Sequence, residues 1–223
     1  TLASEGTNQS ATGTCANRAG LSASDTQTGI NIDKTAPTIT FLSRLPAANG
    51  NGWNSADVTI TWSCTNSLSP ILSGTVTQTL TAEGAAQSAT GMCQDQAGNT
   101  ASNTQSGINI DKTAPTGVSL VPSGTLGNNG WYTSNVTITT TGTEAVSGPL
   151  TCTGVQSLTT DTASATFNGS CTNLAGFTSN AAPLTLKRDA TNPTITFLNR
   201  TPANGNGWNN GDVTLNWSCT DAM

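Results

Sequence analysis

Hydrophobic and polar residues alternate along several short segments of the chain. The clearest is 57–64 (DVTITWSC), where Val58, Ile60, Trp62 and Cys64 fall on one face and Thr59, Thr61 and Ser63 on the other. A period of two predicts a half-buried strand, because successive side chains of an extended backbone point to opposite faces. The same alternation predicts strands at 38–42 (TITFL) and 75–81 (TVTQTLT). Further strands are predicted at 88–93 and 104–110, with Ile108 and Ile110 placing the last one on a core. Asn/Gly-rich turns separate them, at 46–53 (PAANGNGW) and 95–99 (DQAGN).

The pattern recurs along the chain. DKTAPT stands at 33–38 and 111–116 and DATNPT at 189–194, each 78 residues after the last. Cys15, Cys93 and Cys171 share that interval, and Trp53, Trp131 and Trp208 recur at 78 and 77. Three independent markers with one period define a repeat. Residues 37–114 and 115–192 are two whole repeats, 1–36 is the C-terminal part of another, and 193–223 is the N-terminal part of a fourth. Short strands at regular spacing predict an all-β fold of tandem, immunoglobulin-like β-sandwich domains, about seven strands each. The linkers are short and contain Pro115, which fixes one backbone angle, so the array is expected to be extended and semi-rigid.

Composition agrees and removes several functions. Charged residues make up 9%, against about 25% in ordinary globular chains. Thr, Ser, Asn and Gly take their place, which favours strands and turns. The net charge of −5 leaves no basic surface for phosphates, so neither nucleic acid nor an anionic membrane is an expected partner. No apolar run approaches the roughly 18 residues of a membrane span. Beginning at Thr1, the chain reads as an internal piece of a longer secreted precursor.

The six cysteines include no CxxC pair and the chain has no His, which argues against zinc. Cys64 ends the second strand and Cys93 the penultimate one. In a sandwich of this type these strands lie in opposite sheets, so Cys64 is paired with Cys93, a bridge of about 3–4 kcal/mol. In the next repeat the site matching Cys64 is Gly142, Trp62 is replaced by Thr140, and a new cysteine stands at Cys152. Cys152 is paired with Cys171. Such bridges place the chain in an oxidising, extracellular compartment. Cys15 and Cys219 fall in the partial repeats. Their partners lie either in further repeats of the same chain or head-to-tail in another copy, as in an open filament.

The DKTAPT linkers, the GW…D/N-V-T-I/L segment and the AEG…ATGxCxDxAGN ending resemble the bacterial Ig-like repeats of large surface adhesins. The resemblance implies an extended stalk on a bacterial cell surface. A host or cell-surface ligand would be met by a tip domain outside these residues. It also implies calcium at junctions, held by linker aspartates: Asp33, Asp111 and Asp189, with Asp95 joining Asp33 and Asn173 joining Asp111. The plain alternative is that these aspartates cap turn amides. Asn8, Asn135, Asn168, Asn199 and Asn216 sit in N-x-S/T sequons. Trp53, Trp131 and Trp208 are expected to pack over an edge or junction, and Trp62 and Trp217 to lie in cores. With no His and with dispersed acids, no catalytic constellation is visible. The expected function is a non-catalytic stalk or fibre spacer, with a carbohydrate- or receptor-binding module as the competing reading.

Overall fold

The structure, a computed structural model, describes residues 1–223. It consists of strands and one short 3-10 turn, Asn128–Gly130, with no α-helix. Its contacts divide it into two units: Thr1–Thr113 with Leu174–Gly176, and Ala114–Asn173 with Phe177–Met223.

In the first unit, β1 (Gly6–Ala16) and β2 (Ser22–Ile32) form a two-stranded antiparallel sheet. Six strands follow: β3 (Thr38–Leu45), β4 (Trp53–Asn54), β5 (Val58–Thr65), β6 (Thr75–Leu80), β7 (Gly84–Gln94) and β8 (Thr100–Ile110). They make two sheets, in the orders β3-β5-β6 and β4-β8-β7. β7 and β8 are longer than their apolar alternation predicts, because polar cross-strand pairs extend them to 11 residues each.

The predicted face of β5 is the buried one. Val58, Ile60 and Trp62 of β5 share one core with Ala89 of β7 and Ile108 and Ile110 of β8. The two sheets therefore bury a common apolar layer, and Cys64 on β5 is bonded to Cys93 on β7 across it, with Cα atoms 5.9 Å apart. Gly91 decides how closely the layers meet: a Cβ there would lie 2.5 Å from the Trp62 indole, so only glycine lets the ring lie against the β7 backbone. The buried indole N–H donates to Asn103 Oδ1 at 2.9 Å, which removes the cost of an unpaired polar atom in the core.

The outward faces explain the threonine content. Thr59 pairs with Thr79 (2.9 Å), Thr90 with Thr104 (2.8 Å) and Thr12 with Thr26 (2.8 Å), hydroxyl to hydroxyl across neighbouring strands. These β-branched residues suit a pleated surface and satisfy one another without charge.

In the second unit, the strands are β9 (Thr116–Ser123), β10 (Trp131–Tyr132), β11 (Val136–Thr143), β12 (Thr151–Cys152), β13 (Gln156–Leu158), β14 (Thr162–Phe167), β15 (Ser170–Thr172), β16 (Thr178–Asn180), β17 (Leu184–Arg188), β18 (Thr194–Arg200) and β19 (Leu215–Thr220). Val136 and Ile138 of β11 pack with Leu158 of β13 and Leu186 of β17. The long hairpin of the first unit is here cut into β14–β17 and β15–β16. The substitutions explain this. With Trp62 replaced by Thr140 and Cys64 by Gly142, β11 carries less apolar bulk at that end. Cys171 bonds instead to Cys152, its direct neighbour in register on β12. A Cβ at position 142 would sit 3.3 Å from Cys171 Sγ, so glycine there leaves room for the moved sulfur.

Two expectations about tryptophan need correction. Trp53 is buried, but Trp131 is half-buried under the Lys187 ammonium and Trp208 is 74% exposed. Trp217 is not a core residue: it is 53% exposed and meets Phe197 edge-on. In the first unit the matching face of β5 is covered by β7 and β8; β18–β19 is a two-stranded sheet with no counterpart of those strands among residues 193–223.

Candidate functional site

The polar side chains gather where one repeat's last strand leads into the next repeat. Asp33 directly follows β2. Its Oδ1 accepts from the Thr35 N–H (2.9 Å), the turn-capping role open to any such aspartate. Its Oδ2 accepts from the Ser69 N–H (2.9 Å) and Asn66 Nδ2 (3.2 Å), both in the loop after β5. Asn66 Nδ2 also donates to Asp95 Oδ2 (2.8 Å). Asn99 Nδ2 bridges Asp95 Oδ2 (2.9 Å) and the Asp33 carbonyl (3.2 Å), and the Asn99 N–H caps Asp95 Oδ1 (2.8 Å). Asp33 and Asp95 thus meet, as the sequence suggests, but through the amides of Asn66 and Asn99, which the repeat pattern does not single out.

The ionised forms are favoured. Hydrogen bonds from Ser69 and the Thr35 amide hold Asp33 below the ordinary aspartate value. For Asp95, burial and the nearby Asp33 charge push upward. The side-chain and backbone donors of Asn99, with Ser69, outweigh them and leave it lowered.

This donor set is a poor match to calcium. Calcium takes six to eight oxygens, whereas here N–H groups point at the carboxylates. Asn66 cannot simply turn its oxygen inward, since Oδ1 already accepts from the Ser67 N–H (2.6 Å). No group of three or more His, Cys, Asp or Glu side chains is close enough to hold a metal. The pair is satisfied by amides.

Of the other aspartates expected at linkers, Asp111 is buried and its Oδ1 accepts from the Thr113 N–H at 2.9 Å. Asp189 caps the Thr191 N–H at 3.1 Å. Asn173 is buried, caps the Phe177 N–H at 2.9 Å and donates to Glu144 Oε2 at 2.9 Å. Burial pushes Glu144 upward, but the Val146 amide, the Asn173 side chain and the Ala145 and Ser147 amides together outweigh it and hold the carboxyl below its ordinary value.

A second set of acids clamps each linker and is missed by the sequence reading. Glu83 Oε1 accepts from the Lys112 N–H (2.6 Å) and from Thr113 Oγ1 (2.9 Å). Glu5 makes the same bonds to Lys34 (2.6 Å) and Thr35 (3.0 Å). Asp161 does so in the second unit. It accepts from the Ala190 N–H (2.9 Å) and Thr191 Oγ1 (2.5 Å) and pairs with Arg188, and these bonds lower its pKa, the Thr191 hydroxyl first. Positions 5, 83 and 161 carry the 78-residue period, so the same self-comparison that finds the cysteines could have found them. Lys112 Nζ adds bonds to Asp57 (2.8 Å) and the Thr81 carbonyl (2.7 Å).

The two cysteines of the partial repeats, Cys15 on β1 and Cys219 on β19, are free and exposed. The other four are bonded as Cys64–Cys93 and Cys152–Cys171.

No family model matches the chain, and no curated protein matches it. Among solved structures, the chain is similar to one described as a calcium-stabilised adhesin that helps an Antarctic bacterium reach out and bind ice. The two are 17% identical over 90% of this chain and 61% of that one, with a TM-score of 0.31. The chain therefore spans less than two thirds of that protein, and a likeness this loose bears on neither fold nor function.

Proposed function

We propose that the chain is a load-bearing segment of an extracellular stalk or fibre, built from tandem immunoglobulin-like sandwich repeats and without catalytic activity. The observation that carries this reading is the repeated clamping of linkers. Glu5, Glu83 and Asp161 each tie down the segment that follows their own hairpin, and Asp33 reaches into the loops of the next repeat. A linker held by several hydrogen bonds transmits tension into strands; a free one lets modules swivel. The sulfur bridges support both an oxidising location and resistance to extension. Polar surfaces built on threonine pairs rather than ion pairs suit a spacer exposed to variable salt. The competing reading, a carbohydrate- or receptor-binding module, would call for an aromatic or acidic cluster on one repeat that its sister lacks. The differences at Thr140, Gly142 and Cys152 rebuild a bridge instead. Pulling the oxidised chain end to end by force spectroscopy tests the proposal. Discrete unfolding peaks are expected. A featureless extension at low force would overturn the load-bearing role.

A further inference from the structure

The two disulfides stand in different surroundings. Cys64–Cys93 joins two sheets, and its cysteines are 3% and 2% exposed. The edge of β7 beside Cys93 is covered, since Ile71 bridges to Asp95 and the Leu72 N–H donates to the Gln94 carbonyl at 2.9 Å. Reaching either sulfur means parting the layers that hold Trp62. Cys152–Cys171 lies within a single sheet and joins direct neighbours in register. β12 is only two residues long and forms the edge of the order β12-β15-β16. Cys171 is fully buried, but Cys152 is half-buried, and Thr151, Thr153, Gly154 and Val155 around it are exposed.

The second bridge also stands apart from its core. Val136, Ile138, Leu158 and Leu186 form that core, and none of them lies on β12 or β15. Backbone pairing already holds the two strands: the Thr153 N–H donates to the Ser170 carbonyl at 2.8 Å, and the Ser170 N–H donates to Thr153 Oγ1 at 2.9 Å. A short edge strand tied by so few bonds opens locally, at a lower free energy than the whole unit unfolds. Sulfur on such a strand meets solvent while the repeat stays folded. Cys64 and Cys93 have no comparable route.

We propose that Cys152 is a thiol-exchange site, which captures a low-molecular-weight thiol while Cys64–Cys93 stays closed. The incoming thiol gives its proton to buffer, and its thiolate attacks Cys152 Sγ, the sulfur within reach. A new S–S bond forms between the small thiol and Cys152 as the Cys152–Cys171 bond breaks. The electron pair of the broken bond leaves on Cys171 Sγ, which takes a proton from buffer. A second small thiolate that attacks the sulfur of the captured one releases a small-molecule disulfide and leaves both cysteines as thiols. At either stage the chain between positions 152 and 171, until then closed into a loop, is free to extend. The inference does not depend on load-bearing, since the assay below reads thiol chemistry whatever the chain does under tension.

The test incubates the native 223-residue chain with reduced glutathione, after iodoacetamide has blocked the exposed thiols of Cys15 and Cys219. Samples are quenched over time with N-ethylmaleimide in denaturant and digested with trypsin. Cleavage after Arg44, Lys112 and Lys187 separates the pairs, with Cys64 and Cys93 on peptide 45–112 and Cys152 and Cys171 on peptide 113–187. The second bridge should open at least about tenfold faster than the first, the effect of roughly 1.4 kcal/mol less opening free energy. Fragment ions should place glutathione on Cys152 and maleimide on Cys171. Hydrogen exchange of the Val136 and Ile138 amides on β11 should stay as slow as in the untreated chain. Equal opening rates for the two bridges would overturn the proposal. So would glutathione carried on Cys171 alone, or a bridge that opens only as the β11 amides lose protection, which would mean that the whole repeat must unfold first.

Discussion

Reduction should lengthen the chain released when the first complete repeat unfolds under force, by an amount the disulfide fixes. Cys64 and Cys93 are 29 residues apart in sequence. While they are bonded, the segment between them cannot extend, however far the rest of the repeat is pulled. At roughly 3.5 Å per residue, the hidden length is about 100 Å. For Cys152–Cys171, 19 residues apart, it is about 65 Å. The assay is constant-velocity pulling of the same chain before and after treatment with a phosphine reductant, read as contour-length gain per unfolding peak. Two populations of peaks should lengthen by these two different amounts. Cys64→Ser should abolish only the longer increment. If reduction leaves every increment unchanged, the bridges do not lie within the load path and the mechanical account fails.

Gly91→Ala should destabilise the first unit by about 1–3 kcal/mol, since the added methyl would press into the Trp62 ring at 2.5 Å, whereas Gly13→Ala, with nothing within 4 Å, should shift the urea midpoint by almost nothing; equal effects would refute the packing assigned to Gly91. The folded-state pKa values of Asp33, Asp95, Glu144 and Asp161 lie below their ordinary values. The stability they contribute should therefore be complete above about pH 5, and should be lost as pH falls through 4 and below. Urea midpoints measured against pH should show that acid-side fall, shallower in Asp33→Asn; stability that rises on acidification would contradict it. Because amides already satisfy Asp33 and Asp95, melting temperature should be nearly the same in millimolar calcium and in chelator. A calcium-dependent rise that disappears in Asp33→Asn would show that a cation displaces Asn66.

Much of the strand pattern is legible in sequence because a half-buried strand leaves a period-two trace, and Val58 to Cys64 shows it plainly. The ends of β7 and β8 are not legible, since there the pairing is carried by Thr, Ser and Gln with no apolar contrast. The exposure of Trp217 escapes for a different reason. Alternation says which residues share a face, but whether anything covers that face depends on chain remote in sequence. The meeting of Asp33 and Asp95 follows from topology once the repeat is folded, yet Asn66 and Ser69 lie in an irregular loop without a pattern. Glu83 was hidden because a single acid in a polar turn looks like any solvated charge; its recurrence at 5 and 161 is the only trace of its role.

Site-resolved hydrogen exchange on the native chain tests the clamped linker most directly. The Lys112 amide, bonded to Glu83, and the Ser69 amide, bonded to Asp33, should exchange with protection well above that of free loop amides. Glu83→Ala should release the first and Asp33→Ala the second, with the β5 amides unaffected. Unprotected Lys112 and Ser69 amides in the wild-type chain would contradict the account.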